Sequence, residues 1–229
     1  MCMQGGCPAE VSGSAMDLEA IEVRSSAAAG RKAPRVPVDK LTARRVELAE
    51  AALETLGELG YARTSLREIA QNSAFTHGVF HYYFADKNDL ICFCVRHYKV
   101  KCVKRYDQVV ATAQSREALM AGFLEKLSET LRDEAPMHRL WYDLRAQAMF
   151  EQAFREDVAQ IDKSLENMIW RIALRFAELG GRSPALSSAS LYALFDGLFQ
   201  KTLLMHLSGD RSAIQAFKDE IALLLPTIA

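Results

Sequence analysis

The chain has 229 residues, half of them hydrophobic, with 28 Lys and Arg against 29 Asp and Glu for a formal net charge of -1. That length and apolar content can bury a sizeable core in one or two domains, and no run approaches the 18 consecutive apolar residues of a bilayer span. So small a net charge excludes a protein that coats nucleic acid indiscriminately, while leaving room for a local basic surface. A soluble, cytoplasmic protein without membrane contact is expected.

Six prolines and twelve glycines gather mainly in the amino-terminal tail and at boundaries, leaving long stretches rich in Ala, Leu, Glu and Arg. Such stretches favour helix, and the class is all-α. Residues 1-38 mix Gly5-Gly6, Ser25-Ser26, Pro34 and Pro37 and read as a mobile tail with no secretory pattern. Its basic end, Arg31, Lys32 and Arg35, continues into Lys40, Arg44 and Arg45 and suits an arm along a DNA groove. From about Val38 to Leu59, Leu41, Val46, Leu48, Ala49, Ala52, Leu53 and Leu56 recur at helical spacing, and Gly60 ends the helix.

Ser65 followed three residues later by Glu68 is a capping box that starts a second helix with Leu66, Ile69 and Ala70 on its apolar face. The polar run Gln71-Asn72-Ser73 weakens that helix, and Phe75 enters the core. Thr76 caps a third helix whose inward residues are Val79, Phe80 and Tyr83. This is helix-turn-helix spacing. Thr76, His77, Gly78, His81 and Tyr82 are left outward, groups with the reach for base edges and phosphate oxygens. Residues 39-86 form the predicted three-helix head.

Asp86 caps a fourth helix from Lys87 to about Ala113, with Leu90, Ile91, Cys94, Val95, Tyr98, Val103 and Tyr106 as buried candidates. It is too long for the head alone and reads as a connector. Five further helices follow within residues 87-229, for about nine in all. Trp141, Tyr142, Arg145, Met149 and Phe150 gather aromatic, polarizable and cationic groups on one of them, a mixture suited to an apolar cavity with a few orienting groups. The last two helices are apolar on more than one face and need more than one partner. Leu191, Phe195, Phe199, Leu203, Phe217 and Leu224 are the interface candidates.

The segment IAQNSAFTHGVFHYYFADKNDL resembles the DNA-binding signature of the TetR family of transcriptional repressors, with the match extending from Lys40 to Leu90. Ala74, where the family pattern has glycine, and His81, where it has a phosphate-contacting tyrosine, depart from it. The resemblance implies a homodimeric repressor on a palindromic duplex, released by a small effector. It assigns DNA contacts to Ser65, Arg67, Thr76, His77, Gly78, Val79, His81, Tyr82 and Lys87, with Lys87 on phosphate.

No cofactor or metal is called for and no enzyme is expected. His77, His81, His97, His138 and His206 are scattered, and neither a nucleophile-base pair nor a phosphate-cradling glycine loop is present. An all-helical interaction protein or a helical-bundle enzyme without DNA binding is the alternative. Cys92, Cys94 and Cys102 are expected as reduced thiols, with a sensor around Cys94 and His97 as a second reading.

Overall fold

The computed structural model describes residues 38–229, with side chains from Lys40 onward. The tail, its proposed arm of Arg31, Lys32 and Arg35, and Cys2 and Cys7 lie outside the described residues.

Helix α1, Val38–Arg63, buries Leu48, Ala49, Ala52 and Leu56 at the predicted spacing. Its regular part stops at Gly60, where φ is 74° and ψ 177°, a conformation that strains any residue with a Cβ. The next amide, Tyr61 N–H, donates to Asp143 Oδ2 at 2.7 Å, and a Cβ on Gly60 would lie 3.0 Å from that same oxygen. The corner is therefore clamped onto a helix 82 residues away.

Helix α2, Leu66–Gln71, starts on the predicted capping box. Glu68 N–H donates to Ser65 Oγ at 3.2 Å and Ser65 N–H to Glu68 Oε2 at 2.7 Å. Helix α3, His77–Tyr83, differs from expectation at its start, because Thr76 holds the cap position with extended backbone but its hydroxyl makes no capping bond. That hydroxyl stays exposed on the outer face. Helix α4, Lys87–Lys104, is capped by Asp86, whose carboxylate accepts from Asp89 N–H at 2.9 Å.

The connector is not one helix to Ala113. It breaks at Arg105 and Tyr106, and a short α5 follows at Asp107–Thr112. Side chains from other helices compete with the helical ladder at this point. Arg171 donates to the Val103 carbonyl at 3.3 Å and to Asp107 Oδ1 at 2.8 Å, while the Arg105 guanidinium reaches across to Thr130 and Glu134. A carbonyl bonded from outside and an arginine drawn sideways favour a bend over continuation.

The remaining helices are α6 (Arg116–Asp133), α7 (Ala135–Gln147), α8 (Arg155–Leu179), α9 (Ser188–Leu207) and α10 (Ala213–Ile228), with a single 3-10 turn at Gln152–Phe154 before α8. None of the described helices is long and apolar enough to cross a membrane.

Two apolar clusters hold these elements. The first joins Ile69, Phe80 and Phe84 of the head to Leu90 and Ile91 of α4, to Leu140, Trp141 and Leu144 of α7, and to Phe154. The second is built from α6, α8, α9 and α10 around Phe123, Phe176, Phe195 and Ile221. At about 1.5 to 3 kcal/mol for each fully buried large side chain, the first cluster ties the head to α4 and α7 more firmly than any polar contact.

Candidate nucleic-acid interface and ligand cavity

Helix α3 presents its predicted outer face to solvent. His77, Gly78, His81 and Tyr82 are exposed, Tyr82 at 64%, and nothing lies within 4 Å of where a Gly78 Cβ would sit. His77 and His81 stand one turn apart with Nε2 atoms 3.1 Å from each other, within hydrogen-bond distance. Val79 is half-buried beneath this face against the head core, and Phe75 meets Phe80 edge-on at 6.3 Å. On α2, Arg67 is exposed beside Ser65, whose oxygen serves the capping box.

Lys87, first residue of α4, is turned inward. Its Nζ donates to the Tyr61 carbonyl at 2.7 Å and sits 4.0 Å from the Tyr61 ring centroid, and burial lowers its pKa from the ordinary lysine value. It bolts the Gly60 corner to α4, and the other two of its three donors are left for a phosphate. Arg44 and Arg45 are likewise structural rather than a free basic surface. Arg44 pairs with Glu47 and lies over Phe75, and Arg45 bonds Asp89 Oδ1 at 2.7 Å between the rings of Phe84 and Phe93.

A cavity of about 610 Å³, counted with its mouth, opens among α4, α6, α7, α8, α9 and α10. Its wall is mostly apolar, with a few polar groups among the aromatic and aliphatic side chains. Of the predicted effector residues, Trp141 and Tyr142 line it. Arg145 stands behind the wall, where it pairs with Asp196 and reaches Asp162 Oδ2 at 3.5 Å. Met149 and Phe150 do not join them. Helix α7 ends at Gln147, so these two fall in the following turn and are 70% and 82% exposed.

The wall also contains residues that the sequence reading assigned elsewhere or passed over. Phe195, Phe199 and Phe217, predicted at a subunit interface, face this cavity, and Leu191 and Leu203 are buried in their own chain's core. Leu224 is half-buried against that same core. The exposed apolar side chains of these two helices are instead Leu194, Leu204 and Leu207 on α9 and Leu223 on α10, with Leu204 at 67% and Leu223 at 72%. The direction reverses because a helix apolar all round gives no sequence signal for which side its own core takes.

Lys99, His138 and Asp196 were passed over. Lys99 is 3% exposed, and its Nζ contacts His138 Nδ1 at 3.4 Å and lies 5.2 Å from the Trp141 ring centroid. Burial pushes Lys99 down to about 8. Burial, then the nearby charges of Lys99 and Arg105, holds His138 well below its usual value. The signal was present in the spacing, since Val95, Lys99 and Cys102 place a lysine on the buried stripe of α4.

Cys92 and Cys94 of α4 are unsuited to redox sensing. Burial first, and for Cys92 also Asp157, raises the thiol pKa of Cys92 and Cys94. Cys94 Sγ donates to the Ala49 carbonyl at 3.5 Å, and His97 is bound to Glu50 instead. A protonated, buried thiol is a poor nucleophile.

Comparison with known proteins agrees with this geometry. The family described as bacterial regulatory proteins, tetR family, matches residues 48–91, the core of the head through the start of α4. The HTH-type transcriptional regulator BetI of Burkholderia lata is 28% identical over 186 residues, covering 80% of this chain and 94% of its own. Among solved structures, a TetR transcription regulator from Haloarcula marismortui superposes with a TM-score of 0.67 at 16% identity, over 82% of this chain and 98% of that one. A transcriptional regulator from Saccharomonospora viridis in complex with choline gives 0.65 at 16%, over 81% and 96%. Residues 48–91 thus match the DNA-binding domain of the tetR family, and over 80% of its length the chain is similar to HTH-type transcriptional regulators.

Proposed function

We propose that the chain acts as a homodimeric repressor of a palindromic operator and that a small molecule in the cavity releases it. The observation that carries this reading is that one helix serves both sites. Lys87 at the start of α4 locks the head, and Lys99 and Cys102 near its end line the cavity. At 1.5 Å per residue those 18 residues span about 27 Å, so a tilt forced by a ligand at one end displaces the head at the other. The domain division at residues 39-86 and 87-229 is a division of roles along this lever.

Two copies are needed because one short α3 reads few base pairs, whereas two set ~34 to 36 Å apart read a palindrome. The exposed face of α9 supports pairing through Leu194, Leu204 and Leu207, where nothing lies within 4 Å of a Cβ placed on Gly197 and a second helix can come close. The choline-bound neighbour supports a small-molecule signal, without transferring its ligand to this chain. No catalytic step is part of the mechanism.

Selection of binding sites from random duplexes, followed by a salt titration on the winner, tests the DNA half. A near-palindrome is expected, and a half-site or no enrichment would overturn it. His77→Ala should relax preference at particular base pairs, at about 1 to 3 kcal/mol of discrimination for a lost base contact. Arg67→Ala and Lys87→Ala should weaken all sequences alike and lower the salt slope by about 1. An unchanged motif with His77→Ala, or an altered one with Lys87→Ala, would exchange those roles. Ser65, Thr76, Gly78, Val79, His81 and Tyr82 complete the proposed reading surface.

A further inference from the structure

Two donors in the cavity are poorly satisfied: the Lys99 ammonium has only a long contact to one neutral ring nitrogen, and the Trp141 indole has no acceptor. Lys99 has no carboxylate within salt-bridge distance among the described residues, although its ammonium is buried. The indole N–H of Trp141, 1% exposed, has no hydrogen-bond partner at all. A buried donor left unpaired costs about 1 to 3 kcal/mol, more when charged, and such sites call for an explanation.

The nearby acids are already committed. Glu134 accepts from Arg105 on one oxygen and from the Tyr98 hydroxyl on the other. Asp196 accepts from Tyr142 at 2.9 Å on Oδ1 and from Arg145 on Oδ2. His138 offers Lys99 only a long contact through one ring nitrogen. Neither donor meets a carboxylate oxygen among the described residues.

A cation is the wrong guest for this arrangement. The ammonium of Lys99 already lies over the Trp141 ring, the surface on which a quaternary ammonium would stack. A metal ion fares no better. Cys102, Glu134 and His138 bring candidate ligand atoms within 4.8 Å of one another, but both Glu134 oxygens are taken and Lys99 and Arg105 stand alongside.

We propose that the cavity takes an organic anion, a carboxylate on an apolar body, whose head accepts from Lys99 and from the Trp141 indole N–H. The body lies against the apolar wall formed by Leu127, Met168, Ile169, Phe195 and Phe217. This names the ligand class of the effector site and rests on the functional reading above.

The test uses the full chain carrying Trp170→Phe, so that Trp141 is the remaining indole, titrated with phenylacetate, octanoate, their neutral amides and choline. Each acid is expected to shift the Trp141 emission and to bind at least tenfold tighter than its amide, with choline not binding. Lys99→Met, which keeps an apolar stem, should erase the preference for the acid. A pH titration of the unmutated lysine provides a second readout. Acid affinity should be flat up to about pH 8 and fall about tenfold per unit above it, because the ammonium that binds the anion titrates there. His138, Cys102 and Arg105 also face that ammonium, with Tyr98 and Trp141 stacked near it.

Choline or an amide binding as tightly as the acid would overturn the proposal. So would no acid binding, a preference kept by Lys99→Met, or a flat pH profile. Operator release separates the two readings. An acid that binds but does not release DNA sinks the effector mechanism and leaves the ligand class, whereas release by choline alone does the reverse.

Discussion

Leu204→Glu and Leu223→Glu are each expected to turn the protein into a monomer at micromolar concentration and to lower operator affinity on the order of 100-fold. Both side chains are largely exposed in the single chain, so the substitution leaves the folded monomer intact. In a dimer joined through the proposed exposed face, the same carboxylates would be buried without a partner, twice over. An uncompensated buried charge costs several kcal/mol, and each 1.4 kcal/mol is a factor of ten. Phe199→Glu and Leu203→Glu make the contrast, since they strike the cavity wall and the core and should lower the melting temperature before any change in assembly. Sedimentation and thermal melts on all four variants decide between the two faces. Intact dimers for both Leu204→Glu and Leu223→Glu would place the interface elsewhere.

The protein should lose stability steeply below pH 6.5, and His138→Gln should remove part of that loss. His138 is faced by Tyr98, Lys99, Cys102 and Arg105 from α4 and its end, by Glu134 from its own neighbourhood, and by Phe199 from α9. Its folded pKa lies well below 6.5, first because of burial and then because of Lys99 and Arg105. Above pH 6.5 the ring is neutral in both states and contributes no slope. Below it the unfolded chain takes up a proton that the folded chain refuses, so stability falls by up to about 1.4 kcal/mol per unit. Between pH 6.5 and 5 that amounts to about 2 kcal/mol. Denaturant melts of the two proteins at matched pH values check it, and parallel curves would show that His138 is not the group responsible.

Lys99 acts at the other end of the scale with the same sign. Its folded value of about 8 lies below the ordinary 10.5, so stability should rise with pH between those values as the buried charge is lost. The site thus works against the fold at neutral pH, as groups reserved for a ligand commonly do.

The head was legible because short-range chemistry specifies it. Ser65 and Glu68 are three residues apart and find each other whatever the rest of the chain does, and Gly60 marks a left-handed corner by composition alone. The cavity was only partly legible, because its wall comes from six helices whose contacts are long-range. Trp141 and Tyr142 belong to it, but no glycine or proline announces the end of α7 at Gln147, and a periodic reading carries Met149 and Phe150 one turn too far. On α9 the apolar residues surround the helix, so periodicity could not separate Phe195 and Phe199, turned inward, from Leu194 and Leu204, turned outward. Lys99 was missed by treating lysine as a surface residue, although its position on the α4 stripe contradicted that.

The apolar cluster shared by α1, α4 and α7 limits how this regulator can be re-engineered. The head does not own its floor, since Leu140, Trp141 and Leu144 close its core from the sensing side. Cutting after residue 86 would strip Leu48, Ile69 and Phe80 of their lids, so an excised head should aggregate or melt well below the intact chain. A hybrid that borrows another protein's sensor must keep α4 and α7 with the donor of the head. Those two helices also carry Lys99 and Trp141, so operator preference and the polar end of the ligand site would travel as one inherited block.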